Sequence, residues 1–108
     1  MSQTTILEKL REDLKRIDEA LAQLEAKRKE IDEEYSAVLS EENKIFEEMR
    51  QCRDQYKYIQ LEMRFNAISS RRKEIEARKA EIERKIRGYN EEKAKIQMRI
   101  EYLKPKSP

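Results

Sequence analysis

The chain has 108 residues, with 25 Lys and Arg against 23 Asp and Glu, no His, one Gly, one Cys and a net charge of +2. That inventory holds no parts for a zinc site, for a Cys–His or Ser–His–Asp catalytic group, or for a Gly-rich phosphate loop, so no metal, no cofactor and no enzymatic activity is expected. Only 37% of the residues are hydrophobic, too few at this length for a sizeable globular core, and the excess of Glu, Lys, Arg, Leu and Ala reads as a coiled coil.

The first helix signal is Thr5 followed by Glu8, a capping-box pattern ahead of a leucine series. From there apolar residues recur in steps of three and four: Leu7, Leu10, Leu14, Ile17, Leu21, Leu24, Ile31, Tyr35, Val38, Ile45, Met49, Cys52, Tyr56, Ile59 and Met63. All fall at positions a and d of one heptad register, the pattern of a coiled coil rather than of a small globule. Arg28 and Glu42 interrupt it at a, either as snorkelling side chains or as residues that fix register. Leu39 and Phe46 at e widen the stripe, which points to a third helix or to contact between neighbouring dimers. Tyr35, Cys52 and Tyr56 read as core positions.

A second register follows: Tyr58, Leu61, Phe65, Ile68, Ile75, Ile82, Ile86, Tyr89, Ile96, Ile100 and Leu103, with Arg72, Lys79 and Lys93 at its a positions. It is displaced by two residues from the first, and between Tyr56 and Phe65 the two coexist, so that stretch is apolar on most sides. Either the chain turns there or the seam moves around one helix. Asn66-Ala67-Ile68-Ser69-Ser70 contains neither Gly nor Pro, and a helix starting after it would open with Arg71, Arg72 and Lys73 against the macrodipole. A hairpin turning there would also have unequal arms. The expected form is therefore a single all-α helix from Thr5 to Leu103, 99 residues and about 150 Å long, paired with other copies. An antiparallel hairpin turning near residues 66–70 is the alternative. Gly88 interrupts neither register, and Lys104-Pro105 ends the helix. One rod over residues 1–108 with short non-helical ends, 1–4 and 105–108, is thus expected. Ser107-Pro108 is a candidate phosphorylation site for a proline-directed kinase.

Charge divides the chain into an acidic half, residues 1–62 with net −5, and a basic half, residues 63–108 with net +7. Arg71, Arg72, Lys73, Arg78, Lys79, Arg84, Lys85 and Arg87 form the densest basic stretch. It is either a solvated face laced with glutamates or a surface for an acidic partner. Interleaved glutamates and the lack of an aromatic within the stretch argue against nucleic acid. Acidic protein surfaces such as tubulin tails fit better, and microtubules are the expected acidic polymer. Dense seams at the two ends, Leu7, Leu10, Leu14, Ile17 and Leu21 at one and Ile96, Ile100 and Leu103 at the other, are expected to overlap between copies and build filaments. A lone Cys52, no apolar run long enough to span a bilayer and acidic residues among the first leucines point to a reducing compartment, cytoplasmic or nuclear, without a membrane partner.

Two patches, Glu48-Met49-Arg50-Gln51 and Asn66-Ala67-Ile68-Ser69-Ser70-Arg71 leading into the basic segment, resemble stretches of the Sjögren-syndrome nuclear autoantigen family, also called deflagellation-inducible proteins. The resemblance implies a self-assembling, fibril-forming coiled coil associated with microtubules at centrioles, basal bodies or sites of microtubule remodelling. Two other functions fit the same pattern: a helical-hairpin adaptor that recruits a protein partner, and a passive dimerisation rod.

Overall fold

The computed structural model describes residues 2–105, which form two helices, α1 (Gln3–Gln51) and α2 (Gln55–Leu103), joined by Cys52, Arg53 and Asp54. The all-α coiled-coil class holds. The single continuous helix does not: the chain is a helical hairpin, and it turns well before residues 66–70, which lie inside α2. The reasons given against a turn at the serines are sound there and lapse at Cys52–Asp54, because the two arms are then 49 residues each.

Asp54 starts α2 without Gly, Pro or a positive φ among its turn neighbours. Its Oδ1 accepts the backbone N–H groups of Tyr56 at 2.9 Å and Lys57 at 3.2 Å, and its carbonyl accepts the first helical bond from Tyr58 N–H at 2.9 Å. This N-cap satisfies donors that a helix start leaves orphaned. On the other side, Cys52 N–H bonds the Met49 carbonyl at 3.3 Å, and Arg50 in the last turn of α1 complements the dipole. The N-terminal cap differs from expectation in the same way. Ser2, not Thr5, caps α1: its Oγ accepts Thr5 N–H at 3.2 Å. Gln3 and Thr4 are accordingly helical, whereas Pro105 follows the end of α2 as its ring chemistry requires. Residues 1 and 106–108 of the expected non-helical ends, and with them the Ser107-Pro108 site, lie outside the described residues.

The chain divides into two compact units, each containing a stretch of both helices. The terminal unit comprises Met1–Lys27 with Ile82–Pro108, and the turn unit is Arg28–Glu81. In the terminal unit Leu7, Leu10, Ile17, Ile96 and Ile100 form one buried cluster, with Ile6, Leu14, Leu21, Tyr89 and Leu103 packed against it. Ile86 is buried in the same unit. An Asp18–Lys93 ion pair at 2.8 Å and a hydrogen bond from Gln3 Nε2 to the Leu103 carbonyl confirm that the arms run antiparallel.

In the turn unit the buried side chains are Ile31, Val38 and Ile45 on α1 and Leu61 and Ile75 on α2. The α1 set is spaced by seven, the d positions of the first register. Between them the a positions are polar or aromatic, and each meets a polar group of the other arm. Tyr35 with Glu76, Asp32 with Lys79, Glu42 with Ser69 and Phe46 with Phe65 are pairs whose residue numbers all add to 111, as they must along an antiparallel register without a slip.

Candidate interaction surface

The division of charge, placed at residue 62 in the sequence, follows the two arms. Helix α1 carries net −5 and α2 net +5, so the polarity that reads as a partner signal in one dimension is complementarity within the chain. The densest ties are in the turn unit. Glu42, its side chain only 13% exposed, accepts from Arg72 Nε at 3.0 and 2.9 Å and from Ser69 Oγ at 2.7 Å. The Arg72 guanidinium beside it, and then the Ser69 hydroxyl, hold the Glu42 carboxyl below the usual carboxylate range while burial opposes them. Arg72 also reaches Glu76 at 2.8 Å. Tyr35 donates its hydroxyl to Glu76 at 2.9 Å, a bond to a carboxylate that raises the phenol's pKa. Lys79 pairs with Asp32 at 2.8 Å and lies 5.5 Å from the centre of the Tyr35 ring. Glu34 takes both Arg71 and Arg78 at 3.4 Å.

Of the eight cations expected to meet an acidic polymer, Arg71, Arg72, Arg78 and Lys79 therefore engage α1, and Arg84 also has a partner. Lys73, Lys85 and Arg87 are exposed. Lys85 borders an open hollow of about 530 Å³ in the terminal unit, with Ala20, Leu24, Gly88 and Tyr89. The eight residues expected to join one copy to the next, Leu7, Leu10, Leu14, Ile17, Leu21, Ile96, Ile100 and Leu103, all belong to the one apolar cluster of a single chain. The ends they mark are far apart in sequence and adjacent in space.

Tyr56, Ile59 and Met63 are the main correction at residue level. They extend the first register and were expected in its core, yet they are 72%, 51% and 69% exposed. The first register stops at the turn because the inward face of α2 belongs to the second, on which Leu61 is buried. At 100° per residue the three side chains lie about 140–160° around the helix from Leu61, so they form a row on the face of α2 turned away from α1. Phe46 is half exposed, as its e position predicts, with its ring 6.1 Å from that of Phe65. Lys57 and Arg64 flank the inner seam, at g positions of the second register, and have no ion pair among the described residues; Arg71, one heptad later, is paired with Glu34. Beneath the turn on that flank is an open hollow of about 410 Å³ bordered by Cys52, Lys57, Gln60, Leu61, Arg64 and the carboxylate of Glu48.

Two functional features escape the sequence reading. Asp54 carries no capping-box partner and no Gly beside it, so the local sequence marks the turn only by a residue type that caps helices well. Glu34, at a g position, gives no sign in sequence that it receives two arginines. The outward row was visible as the overlap of two registers, without a way to tell which of them would be used internally.

No cluster of metal-binding side chains occurs among the described residues, and none of their helices is long and apolar enough to cross a membrane. No family model, no curated protein and no solved structure matches the chain. The resemblance drawn from the patches 48–51 and 66–71 rests on those residues alone.

Proposed function

We propose that the protein is a helical-hairpin adaptor, a two-helix coiled coil that recruits a protein partner near its turn. The observation that carries this reading is the row of Tyr56, Ile59 and Met63, exposed beside the turn while the seam between the arms is closed. Exposed apolar residues in a row are the usual mark of a contact surface, and a chain whose seam is filled internally has no need of a second copy to bury it.

The adaptor takes precedence over filament formation, microtubule association and a passive dimerisation rod. Those readings drew on apolar ends and a basic stretch, and here the apolar ends pack on each other and half of the basic stretch pairs with α1. A photo-crosslinking residue placed at Met63 tests the proposal in cells, with the exposed Lys29 on α1 as control. The expected result is one protein adduct at position 63 that is absent at position 29 and lost when Ile59 is changed to Ser. No adduct at position 63, or equal adducts at both, overturns it.

A further inference from the structure

We infer that the open hollow between the arms in the terminal unit is a docking groove for an acidic helix of another protein, which sets a carboxylate between Lys27 and Lys85 and lies close to the chain over Gly88. The groove is separate from the row at the turn and does not rest on it.

Shape points to a helix. The hollow measures about 530 Å³, and each arm lines it with residues at i, i+3, i+4 and i+7, from Ala20 on α1 and from Lys85 on α2. That spacing is one strip of a helix face about two turns long, so the hollow is a trough along both arms rather than a socket for a compact ligand. Its floor is apolar: Leu24 and Tyr89, seam residues that the arms leave half-buried, both border it. Ala20 and Gly88 are small enough to admit a third backbone, and a Cβ built on Gly88 meets nothing within 4 Å. Gly88 is the one glycine of the chain. It weakens the helix, and neither a positive φ nor a neighbour in the chain requires it. A helix packed over it gives it a use.

Charge selects the occupant. The residue numbers of the Asp18–Lys93 pair add to 111, as do those of Asp32–Lys79, so the same heptad positions oppose each other in both units. At g positions of the turn unit Glu34 meets Arg78. One heptad along, the g positions hold Lys27 and Lys85, both on the rim of the hollow and both without an ion pair among the described residues. Charges at such positions ordinarily tie two helices together. Two ammonium groups there repel instead, and a carboxylate set between them serves both. Glu92 is the acid on the rim. It lies about 10 Å further along α2 from Lys85, at 1.5 Å per residue, so the lysine end of the trough stays cationic. A second copy fits poorly, because the outer face of α1 places Lys15 and Lys29 among Glu12, Glu19 and Glu33 and would bring lysine to lysine.

The test uses the full chain and a fluorescein-labelled three-heptad peptide with Leu at every a and d position and Glu at every e and g, compared with the same peptide carrying Lys at e and g. Anisotropy titrations should show one acidic peptide bound per chain, more weakly as salt is raised, and no binding of the basic one. Gly88→Leu fills the trough and should weaken binding by about tenfold or more, at least one decade in Kd. Lys27→Glu combined with Lys85→Glu should reverse the preference between the peptides. Positions 27, 85 and 88 are exposed, so circular dichroism should show the parent's helicity in both variants. Equal binding of the two peptides overturns the inference, because charge is then not read. Equal binding of the acidic peptide to the parent and to Gly88→Leu overturns it as well. Binding abolished by changing Ile59 and Met63 together to Ser would seat the peptide on the row at the turn, against the inference. A dimer in sedimentation velocity that Gly88→Leu abolishes would give the groove to a second copy. No binding of the acidic peptide sinks the inference and leaves the adaptor reading standing, since that reading is decided by the adduct at position 63.

Discussion

The terminal unit and the turn unit use the same two helices to different ends. In the terminal unit the arms close over Leu7, Leu10, Ile17, Ile96 and Ile100, an apolar cluster with the Asp18–Lys93 ion pair across the arms. In the turn unit single buried aliphatics alternate with Tyr35, Glu42, Arg72 and Lys79, and ion pairs join the arms repeatedly. Apolar seams are cohesive and poor at fixing register, because a slip of one heptad replaces Leu by another aliphatic. Polar seam positions do the reverse. Ser69 lies opposite Glu42 in the observed register. A slip of seven residues either way would bring Glu62 or Glu76 there instead, both carboxylates. The turn unit thus excludes the neighbouring registers that the terminal unit would accept.

The largest effect should come from the cohesive side. Leu10→Ala or Ile100→Ala removes a side chain that is over nine-tenths buried and should cost about 2–5 kcal/mol. Thermal melting reads the loss. Hydrogen exchange should show protection falling first in residues 3–27 and 82–103; a loss uniform over both units would erase the distinction drawn between them. The register side should behave differently. Glu42→Leu combined with Arg72→Leu replaces a half-buried ion pair by apolar residues, a change that is often neutral or stabilising. The double variant should keep its helicity and melt no lower, yet lose its single register. Spin labels at Glu33 and Ala77, both exposed, should give one distance in the parent. The variant should add longer distances from chains in which the arms have slid by one heptad, about 10 Å along the axis at 1.5 Å per residue. A single unchanged distance would show that the apolar positions set register unaided.

Acid separates the units without mutation. The Glu42 carboxyl is held below its ordinary value, chiefly by its bonds to Arg72. A carboxylate with a lower pKa folded than unfolded contributes stability that is complete above the unfolded value, about 4.3, and is lost as pH falls through the folded one. Glu42→Gln should therefore melt below the parent at about pH 7, and the gap should close as falling pH protonates the Glu42 carboxyl. A gap that persists in acid would assign the effect to packing. No such difference is expected of Leu10, whose cluster contains no carboxylate.

Much of this was legible in the sequence, and what was not has a physical reason. The heptads gave the coiled coil, and the weak a positions Glu42 and Arg72 were recognised one by one. Their pairing was invisible because nothing in a linear pattern says which arm lies opposite. The turn was missed for a related reason. Turns are read from Gly and Pro, and here the break is made by Asp54 through two backbone hydrogen bonds. Three features of the sequence do point to it together: the register shift after Cys52, the change in charge sign and the equal lengths of the arms that result. The exposed row was read as core because a register that runs through Tyr56, Ile59 and Met63 looks continuous until the chain is known to reverse before it.

That cap gives a smaller prediction. Asp54→Ala leaves the N–H groups of Tyr56 and Lys57 without their acceptor and should cost about 1 kcal/mol, while Asp54→Asn should be close to neutral since it keeps an acceptor oxygen. Exchange should quicken at residues 55–58 in the Ala variant and remain unchanged in the terminal unit. Equal stability of the Ala variant and the parent would mean that contacts between the arms, rather than the cap, place the turn.

The smallest effect should be a gain, and it falls in the terminal unit. Gly88 lies inside α2 and is exposed, its φ is not positive, and a Cβ built on it meets nothing within 4 Å. Neither a strained backbone nor a close approach of the two arms therefore requires glycine there. Its cost in the helix is the extra backbone freedom lost on folding, and Gly88→Ala should return about 0.5–1 kcal/mol. The new methyl would enter the hollow beside Ala20, Leu24 and Tyr89, which has space for it, so no neighbour has to move. The readout is a higher melting temperature with slower exchange around residues 84–92. Crosslinking at position 63 should not change, because Tyr56, Ile59 and Met63 do not border this hollow. A loss of stability would show that something outside the single chain packs against Gly88, and that the terminal unit has an interface of its own.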